Sequence, residues 1–433
     1  MRELAKVTLF EYKPVEYEIG GRDEIEGDRL ILTEKTIEQL EKINEKNKFL
    51  EIGKKRIKPL NYVGVVKAGK ITLEIFPKFA SEDRKETIAG NLLKMLGFTL
   101  LDFREVDYAE LSEINDFFEI LIEIFARNLL NLLKTKQNFQ YVRRYDEMRY
   151  VRGKIDFKKH CNPARLHLVP CEFYERHLDN LINRTLKYTC FLMSKVVETR
   201  ETYRKLRRIT DILEPVALTP VSVQRIESIT FNRLNIEFKP FIEFCRVFLE
   251  HSSLSLQASK MEFFSILIPM ERLFEQFVAE VIRKERLHEV FGKDANLEIQ
   301  KSIGAFLQRN GQRIAEMKPD IIVEVGNSKV VIDTKYKLLE PEDRKLGVSQ
   351  QDLYQIYAYC RELGANKALL LYPEGLNPID KEFQNKPFLV GKNGDIELFV
   401  RTIALDVDLV KDWGAFVSEL KETLSCITQN MKI

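Results

Sequence analysis

Three ionisable residues, Asp320, Asp333 and Lys335, are spaced along the chain so that a β-hairpin would bring them together on one face. Twelve residues separate the two aspartates, and β-branched side chains are frequent on both sides of Gly326-Asn327. This dipeptide is typical of a two-residue hairpin turn. With these two residues as the loop, Asp320 lies directly opposite Asp333. Lys335 points to the same face, because side chains alternate between the two faces of a strand.

Two carboxylates and an ammonium group on one face are suited to metal-dependent hydrolysis. Directly opposed strand residues have Cβ atoms about 5 Å apart, so one divalent cation can bridge the two aspartates. Oxygen ligands favour a hard cation such as Mg²⁺, with Mn²⁺ as an alternative. A metal ion held in this way polarises a phosphodiester and lowers the pKa of bound water. Lys335 can position the attacking water or stabilise charge that develops on phosphorus. The competing interpretation is a solvated hairpin with charges on its open face.

An amphipathic helix is predicted upstream of this hairpin. The segment Met270–Ile282 carries five apolar residues at helical spacing, which are Leu273, Phe274, Phe277, Val278 and Val281. Glu275 lies beside that apolar face and is a candidate for a further acid at the site. The alternative is an ordinary exposed helix glutamate.

A second amphipathic helix and a strand are predicted downstream. The helix begins at Gln350 and contains Gln355 and Tyr359, which are four residues apart and therefore share one helix face. A helix with an ordinary core face and surface face is the alternative. The following segment, Lys367–Pro373, is predicted to be a short buried strand that ends at proline.

The order of helix, hairpin, helix and strand, with the two aspartates and the lysine in the hairpin, resembles the catalytic core of the PD-(D/E)xK nuclease superfamily. Asp333 stands in the D/E position of that motif. The resemblance implies that the carbonyl oxygen of Thr334 is a further metal ligand and that Glu275 is an auxiliary acid. Gln355 and Tyr359 match the QxxxY element of RecB-like members, which implies that they position the substrate.

Composition narrows the class of protein. A chain of 433 residues can form two or three domains. Its net charge of +2 gives no general attraction to nucleic acid, so any affinity for DNA must be local or come from a partner. No apolar run has the length of a membrane span, and the N-terminus does not read as a signal segment. The six cysteines form no CxxC pair, which favours a reducing, cytoplasmic location.

A cluster of histidines and cysteines is a weak candidate for a zinc site. Its members are His160, Cys161, His167, Cys171 and His177. Their spacing fits no standard zinc finger, and Pro163 and Pro170 interrupt the segment. Buried cysteines and surface histidines are the better interpretation.

A glycine-rich segment superficially resembles a phosphate-binding loop. Gly64–Lys70 has the glycines and the lysine of such a loop, but Ile71 stands where a serine or threonine should follow. The next residues are predicted to form a strand, whereas phosphate binding needs a helix N-terminus at this point. We therefore predict that this chain binds no nucleotide.

We predict a multidomain α+β protein. Residues 1–80 form a β-rich N-terminal domain, residues 81–260 a mostly helical region, and residues 261–433 the nuclease α/β core. The predicted elements of the N-terminal domain are strands at Ala5–Phe10, Arg29–Leu32, Phe49–Ile52, Tyr62–Lys67 and Ile71–Phe76 and a helix at Glu34–Ile43. The nuclease region is predicted to finish with a strand at Leu398–Leu405 and a helix at Val407–Ser425.

The middle region is predicted to contain two long helices, Ile114–Lys134 and Leu178–Ile209. Between them lies an irregular tip of about residues 137–171. The two helices could project as a stalk that carries the tip. A compact helical subdomain is the alternative.

Motifs along nearly the whole chain resemble those of the McrC family, the nuclease subunits of McrBC modification-dependent restriction systems. Phe76 replaces a leucine that the family pattern would have before Pro77, a change that affects packing and not chemistry. In family order, the motifs are Val63-Gly64-Val65, Leu73–Lys78, Tyr150–Asp156, Asp179–Lys187, Leu273-Phe274-Glu275, Pro319-Asp320, Asp333-Thr334-Lys335 and Asp352–Gln355.

The resemblance implies a partner and a substrate. Members of the McrC family join McrB, a hexameric AAA+ GTPase that recognises modified double-stranded DNA. They stimulate GTP hydrolysis by McrB. The N-terminal part of the family engages the GTPase ring. Our candidates for the contact are Arg152, Gly153, Lys154 and Asp156 at the tip, because an arginine on an extended tip can organise a phosphoryl-transfer site. The alternative is that Arg152 pairs with Asp156 in its own hairpin.

Two other functions compete with that of a GTP-dependent endonuclease subunit. One is a regulatory adaptor of an AAA+ GTPase ring that does not cut DNA. The other is an autonomous RecB-like nuclease, which the QxxxY element suggests and the near-neutral net charge disfavours.

Overall fold

The computed structural model describes residues 5–27, 29–80, 82–100, 117–160, 167–257, 260–310, 312–375, 379 and 386–428. The described chain is a mixed α+β protein, as predicted. It forms two compact units. One consists of Met1–Asp102, Ser253–Leu256 and Glu262–Ile433, and the other of Phe103–Ser252 and Gln257–Met261. No helix within the described ranges is long and apolar enough to span a membrane.

The described strands are short, with at most ten residues. In chain order they are β1 (Ala5–Phe10), β2 (Val15–Ile19), β3 (Glu24–Glu26), β4 (Arg29–Leu32), β5 (Leu50–Ile52), β6 (Arg56–Pro59), β7 (Tyr62–Ala68), β8 (Ile71–Phe76), β9 (Gln140–Met148), β10 (Lys154–Ile155), β11 (Val169–His177), β12 (Ser252–Gln257), β13 (Lys260–Pro269), β14 (Asn296–Ile299), β15 (Gly304–Arg309), β16 (Gln312–Met317), β17 (Ile321–Val325), β18 (Ser328–Thr334), β19 (Lys367–Pro373), β20 (Phe388–Val390) and β21 (Ile396–Ile403).

The described helices are α1 (Glu34–Lys46), α2 (Lys85–Leu100), α3 (Phe117–Thr135), α4 (Phe157–His160), α5 (Leu181–Met193), α6 (Arg200–Ile212), α7 (Val223–Glu227), α8 (Lys239–His251), α9 (Met270–Lys284), α10 (Gln350–Leu363) and α11 (Trp413–Thr428). The predicted helices at 34–43, 270–282 and from Gln350 are confirmed. The first three residues of the helix predicted at Ile114–Lys134 lie outside the described residues.

Within the described ranges the strands form five sheets. A six-stranded sheet has the order β14-β17-β18-β19-β21-β20, in which β18, β19 and β21 are mutually parallel. Two five-stranded sheets have the orders β1-β8-β7-β13-β12 and β3-β4-β2-β6-β5. The strands β9–β11 form a three-stranded sheet, and β15 and β16 form a two-stranded sheet. The five strands predicted in the N-terminal region are confirmed within one residue, whereas β2, β3 and β6 were not predicted.

Two predictions for the middle region are wrong. The helix predicted at Leu178–Ile209 is two helices, α5 and α6, because the carboxylate of Glu119 accepts backbone N–H groups of Glu198 and Thr199 and fixes a new helix start there. The tip is not irregular: β9 and β11 pair antiparallel over nine residues, with β10 on the other side of β11. Large polar residues on both faces of β9 obscure the strand alternation in the sequence.

Strand β13 links the two sequence regions of the first unit. It pairs antiparallel with β7, so residues 263–269 complete a sheet whose other strands come mostly from the N-terminus. Helix α9 follows β13 without a break, and the backbone N–H of Met270 donates to the carbonyl of Asn61. The domain boundaries at residues 80 and 260 stay a prediction, but the N-terminal sheet directly positions the start of α9.

Gly64 in β7 allows this pairing. Its φ is +147°, and a Cβ built on it would lie 2.0 Å from the carbonyl oxygen of Ile266 in β13. No other residue type fits such a close approach of two backbones. The glycine of the Val63-Gly64-Val65 motif therefore has a packing role, and the segment that superficially resembles a phosphate-binding loop is a strand followed by a strand.

We expect Gly64→Ala to lower the free energy of unfolding by about 2 kcal/mol or more, because β13 must move away from β7. Gly21→Ala is the matched control: a Cβ there meets nothing within 4 Å, so the stability should stay within about 1 kcal/mol of wild type. Urea denaturation of the full chain measures both. Equal effects of the two substitutions would contradict this role of Gly64.

Candidate functional site

The predicted hairpin is present with the predicted register. Val325 pairs with Ser328 across the Gly326-Asn327 turn, and the pairing continues to Ile321 opposite Ile332. Asp320 therefore enters β17 beside the end of β18, where Asp333 lies. Both carboxylates are largely buried, with exposed fractions of 9% for Asp320 and 1% for Asp333.

The two strands are tied together by one carboxylate oxygen. Oδ2 of Asp320 accepts the backbone N–H and the side-chain hydroxyl of Thr334, each at 2.7 Å. The next residue, Lys335, donates its backbone N–H to the carbonyl of Leu371 in β19. The end of β18 is therefore held from both sides.

Lys335 lies between the hairpin and α10. Its Nζ is 2.6 Å from Oδ2 of Asp333 and donates to Oε1 of Gln355 at 2.9 Å. Nε2 of Gln355 donates in turn to the hydroxyl of Tyr359 at 2.8 Å, and that hydroxyl reaches the carbonyl of Lys318. The structure thus brings the predicted residues Lys335, Gln355 and Tyr359 into one hydrogen-bonded chain at Asp333.

Helix α9 places Glu275 beside the two aspartates. Burial, together with the negative charges of Asp320 and Asp333, raises the pKa of Glu275 to about 7. Glu275 is therefore part of the acidic cluster and not an ordinary exposed glutamate.

Gln300 was not predicted as a site residue. Its Nε2 donates to Oε1 of Glu275 and, at 3.2 Å, to Oδ1 of Asp320. Its backbone, in the left-handed region with φ of +53°, donates to the carbonyl of Asp320 at 2.9 Å. The sequence holds no signal for it, since a glutamine after a short strand is common.

The cluster carries more negative charge than its surroundings neutralise. Burial and the charge of Asp320 together raise the pKa of Asp333 to about 6, against the opposing effect of Lys335. For Lys335, burial lowers the pKa, but the charges of Asp333 and Asp320 outweigh this and raise it overall. Such crowding of carboxylates favours either protonation or a bound cation.

The carboxylate oxygens of this cluster suit a hard cation that takes few of its ligands from the protein. Although Lys335 is close to it, Oδ2 of Asp333 makes no hydrogen bond of acceptable geometry to any described residue. Among the described residues, no three His, Cys, Asp or Glu side chains converge closely enough to hold a metal ion by themselves. Mg²⁺ commonly uses one or two carboxylates and keeps several waters, so this donor set suits it.

The tip holds one of its candidate residues, Arg152, over an aromatic ring. The guanidinium of Arg152 lies 4.1 Å from the centre of the Phe173 ring, a cation–π contact, and its backbone N–H donates to Sγ of Cys171. Asp156 lies 3.9 Å from Lys159. Gly153 has φ of +75°, which allows the turn into β10, where Lys154 pairs with Glu172.

Two of the zinc candidates, Cys171 and His177, lie on β11 of this same sheet. Cys171 is buried under Arg152, and His177 lies 3.1 Å from Glu175. Cys161 lies outside the described residues.

Comparison with known proteins identifies the class. A family model that describes components of 5-methylcytosine restriction systems matches residues 57–373, well over half of the chain. The chain belongs to the McrBC family, and the resemblance seen in its motifs is confirmed. No curated protein matches the sequence.

Two solved structures from Thermococcus gammatolerans are similar. One is a half-complex from the tetradecameric assembly of McrB AAA+ hexamers with bound McrC. It is 20% identical, with 96% of this chain and 100% of that chain covered and a TM-score of 0.63. The other is the McrBC complex seen by cryo-electron microscopy, 18% identical, with 65% and 88% covered and a TM-score of 0.48. The similarity to the half-complex establishes the fold of this chain.

A buried contact joins the β17–β18 hairpin to the N-terminal sheet region. The hydroxyl of Tyr336, the residue after Lys335, donates to Oε2 of Glu11 at 2.6 Å, and Lys78 donates its Nζ to the carbonyl of Tyr336 at 2.7 Å. Burial raises the pKa of Glu11 to about 7, while the hydrogen bonds from Tyr336 and from the backbone of Lys78 oppose the rise. Neither Glu11 nor Tyr336 was predicted.

Tyr336→Phe should destabilise the protein by about 1–3 kcal/mol, because it removes a hydrogen bond from a buried carboxyl group. Tyr372→Phe is the control. Tyr372 is equally buried, but its hydroxyl has no hydrogen-bond partner among the described residues, so its loss should cost little. Denaturant unfolding of the two variants measures the difference; equal stabilities would show that the contact with Glu11 contributes nothing.

Proposed function

We propose that the chain is the metal-dependent DNA endonuclease subunit of a McrBC restriction system. The observation that carries this proposal is the convergence of Asp320, Asp333 and Lys335 at one end of the β17–β18 hairpin, with Glu275 and Gln355 supplied by the flanking helices. The order α9, hairpin, α10 and a parallel β19 supports a PD-(D/E)xK core.

Asp320, Asp333 and the carbonyl oxygen of Thr334 would hold Mg²⁺, with Mn²⁺ as an alternative. The cation would polarise the scissile phosphate and acidify a bound water. Lys335 is held by Asp333 and Gln355, so its ammonium group already faces the site. Its side chain therefore loses little rotamer freedom when the substrate binds. There it stabilises negative charge on the phosphate oxygens or orients the water.

Glu275 and Gln355 have distinct supporting roles. With a pKa raised to about 7, Glu275 can hold or release a proton near neutral pH at the metal site. Gln355 fixes the ammonium group of Lys335, and Tyr359 fixes the amide of Gln355 and helps to position the substrate.

The family and the similar half-complex support a GTPase partner. The proposal is that this chain joins a McrB-type AAA+ hexamer, stimulates its GTP hydrolysis, binds no nucleotide itself, and cuts double-stranded DNA that carries modified bases. Arg152, Gly153, Lys154 and Asp156 are the proposed contact with that ring. Arg152 is exposed and stacked on Phe173, so its guanidinium is presented outward at a fixed place.

Asp333→Asn and Lys335→Ala should each lower cleavage of modified plasmid DNA by about 100-fold or more, because each removes a group that acts on the reacting phosphate. Lys329→Ala is the matched control, since it removes a lysine from the same strand that pairs with Glu324 near the turn. Cleavage is measured with Mg²⁺, the cognate GTPase and GTP, and GTP turnover is measured in parallel.

Stimulation of GTP turnover should survive in all three variants. Cleavage by the chain alone would favour an autonomous nuclease. Accelerated GTP turnover without any cleavage by the wild-type complex would leave only the regulatory adaptor.

Divalent-cation binding should weaken as the pH falls below about 7. Glu275, with its pKa raised to about 7, is protonated first, and Asp333, with its pKa raised to about 6, is protonated below about pH 6. The cation must displace those protons. Affinity should then fall about tenfold per pH unit for each displaced proton. Calorimetry with Ca²⁺ in two buffers of different ionisation enthalpy counts the protons, and Glu275→Gln should reduce that count. A pH-independent affinity would contradict the assignment.

A further inference from the structure

The hairpin of β15 and β16 extends from the candidate site itself. Its first strand begins four residues after Gln300, and its second ends three residues before Asp320. Both ends are therefore anchored at residues of the acidic cluster. The two strands pair only with each other among the described strands.

This hairpin exposes large apolar side chains. The exposed fractions are 72% for Phe306, 54% for Leu307 and 61% for Ile314. The strand register shifts twice, which leaves Phe306 and Ile314 without an opposite residue. Such bulges redirect side chains, and a cluster of exposed apolar groups on a monomer marks a binding surface.

The same hairpin is basic. Residues 301–318 contain four basic residues, Lys301, Arg309, Arg313 and Lys318, and one acid, Glu316, so that this segment has a net charge of +3. The whole chain has a net charge of only +2. Lys301 is paired with Glu298, whereas Arg309 and Arg313 lie exposed on either side of the turn. The chain thus concentrates positive charge next to the site, where a nucleic acid would lie.

We propose that this hairpin binds duplex DNA beside the scissile phosphate, with Phe306 and Ile314 in the minor groove and Arg309 and Arg313 on the flanking phosphates. The inference rests on the proposed nuclease function. Apolar side chains that enter the minor groove separate base steps and bend the duplex, while arginines bind phosphates through paired hydrogen bonds. A strand of six residues is about 20 Å long, which is enough to cross a minor groove about 6 Å wide.

A partner protein is the alternative occupant for the exposed side chains of Phe306 and Ile314. A crosslinking experiment distinguishes DNA from protein at this position. Photoreactive benzoylphenylalanine replaces Phe306 or, as a control, Leu389, which is similarly exposed at 68% but lies on the distant edge strand β20. The full chain is irradiated with its cognate GTPase, GTP, modified duplex DNA, and Ca²⁺ in place of Mg²⁺. We expect a DNA adduct at position 306 and none at 389. An adduct with the GTPase subunit, or no adduct, would overturn the proposal.

Cleavage kinetics of the complete complex test how much the β15–β16 hairpin contributes to DNA binding. Phe306→Ala with Ile314→Ala should raise KM for DNA about tenfold through lost groove contacts. Arg309→Gln with Arg313→Gln should reduce the salt dependence of log KM by about two units of slope. Leu389→Ala and Lys392→Gln, both in exposed positions on the distant edge, are the controls.

Failure of this inference and failure of the nuclease proposal give different results. If the wild type cleaves and the hairpin variants match it in KM and salt dependence, the hairpin does not bind DNA and the nuclease proposal stands. If the wild-type complex does not cleave in Mg²⁺ and behaves like Asp333→Asn, the nuclease proposal fails, while the adduct at position 306 still reports whether the hairpin contacts DNA.

Discussion

The candidate site depends on the hydrogen bonds that Oδ2 of Asp320 accepts from the backbone and the hydroxyl of Thr334. They close the open end of the hairpin, where ordinary strand pairing has ended. Because both bonds converge on one oxygen, Oδ1 of Asp320 remains available to Gln300 and to the interior of the site. One carboxylate therefore acts both as a structural clamp and as a candidate ligand, and the position of Asp333 follows from the clamp.

A second constraint acts from the opposite side of the hairpin. Tyr336 continues the chain beyond Lys335, and it is bound through its hydroxyl by Glu11 and through its carbonyl by Lys78. The ring of Tyr336 also lies 4.1 Å from Nζ of Lys78. The lysine of the site is thus fixed between the acidic cluster on one side and the N-terminal strands on the other. This arrangement gives the Leu73–Lys78 motif a direct structural link to the site.

The sequence predicts what depends on local chemistry. The Gly326-Asn327 turn sets the hairpin register, and helical spacing places Gln355 and Tyr359 on one face, so these features could be predicted without a structure. Gln300 and Glu11 could not, because they reach the site through contacts across 20 and 325 residues that no local pattern encodes. The three-stranded sheet at the tip could not be predicted for another reason: β9 carries large polar residues on both faces, so its sequence shows no apolar alternation.

The direct passage from β13 into α9 limits how this protein can be divided. A fragment that starts at residue 261 would keep the acidic cluster but lose β7, the strand that covers one edge of β13, together with Glu11 and Lys78. An uncovered strand edge invites pairing with other chains. The region that carries the candidate site is therefore not an independent module, and fusions that join it to a foreign DNA-binding protein would need to include residues 5–80.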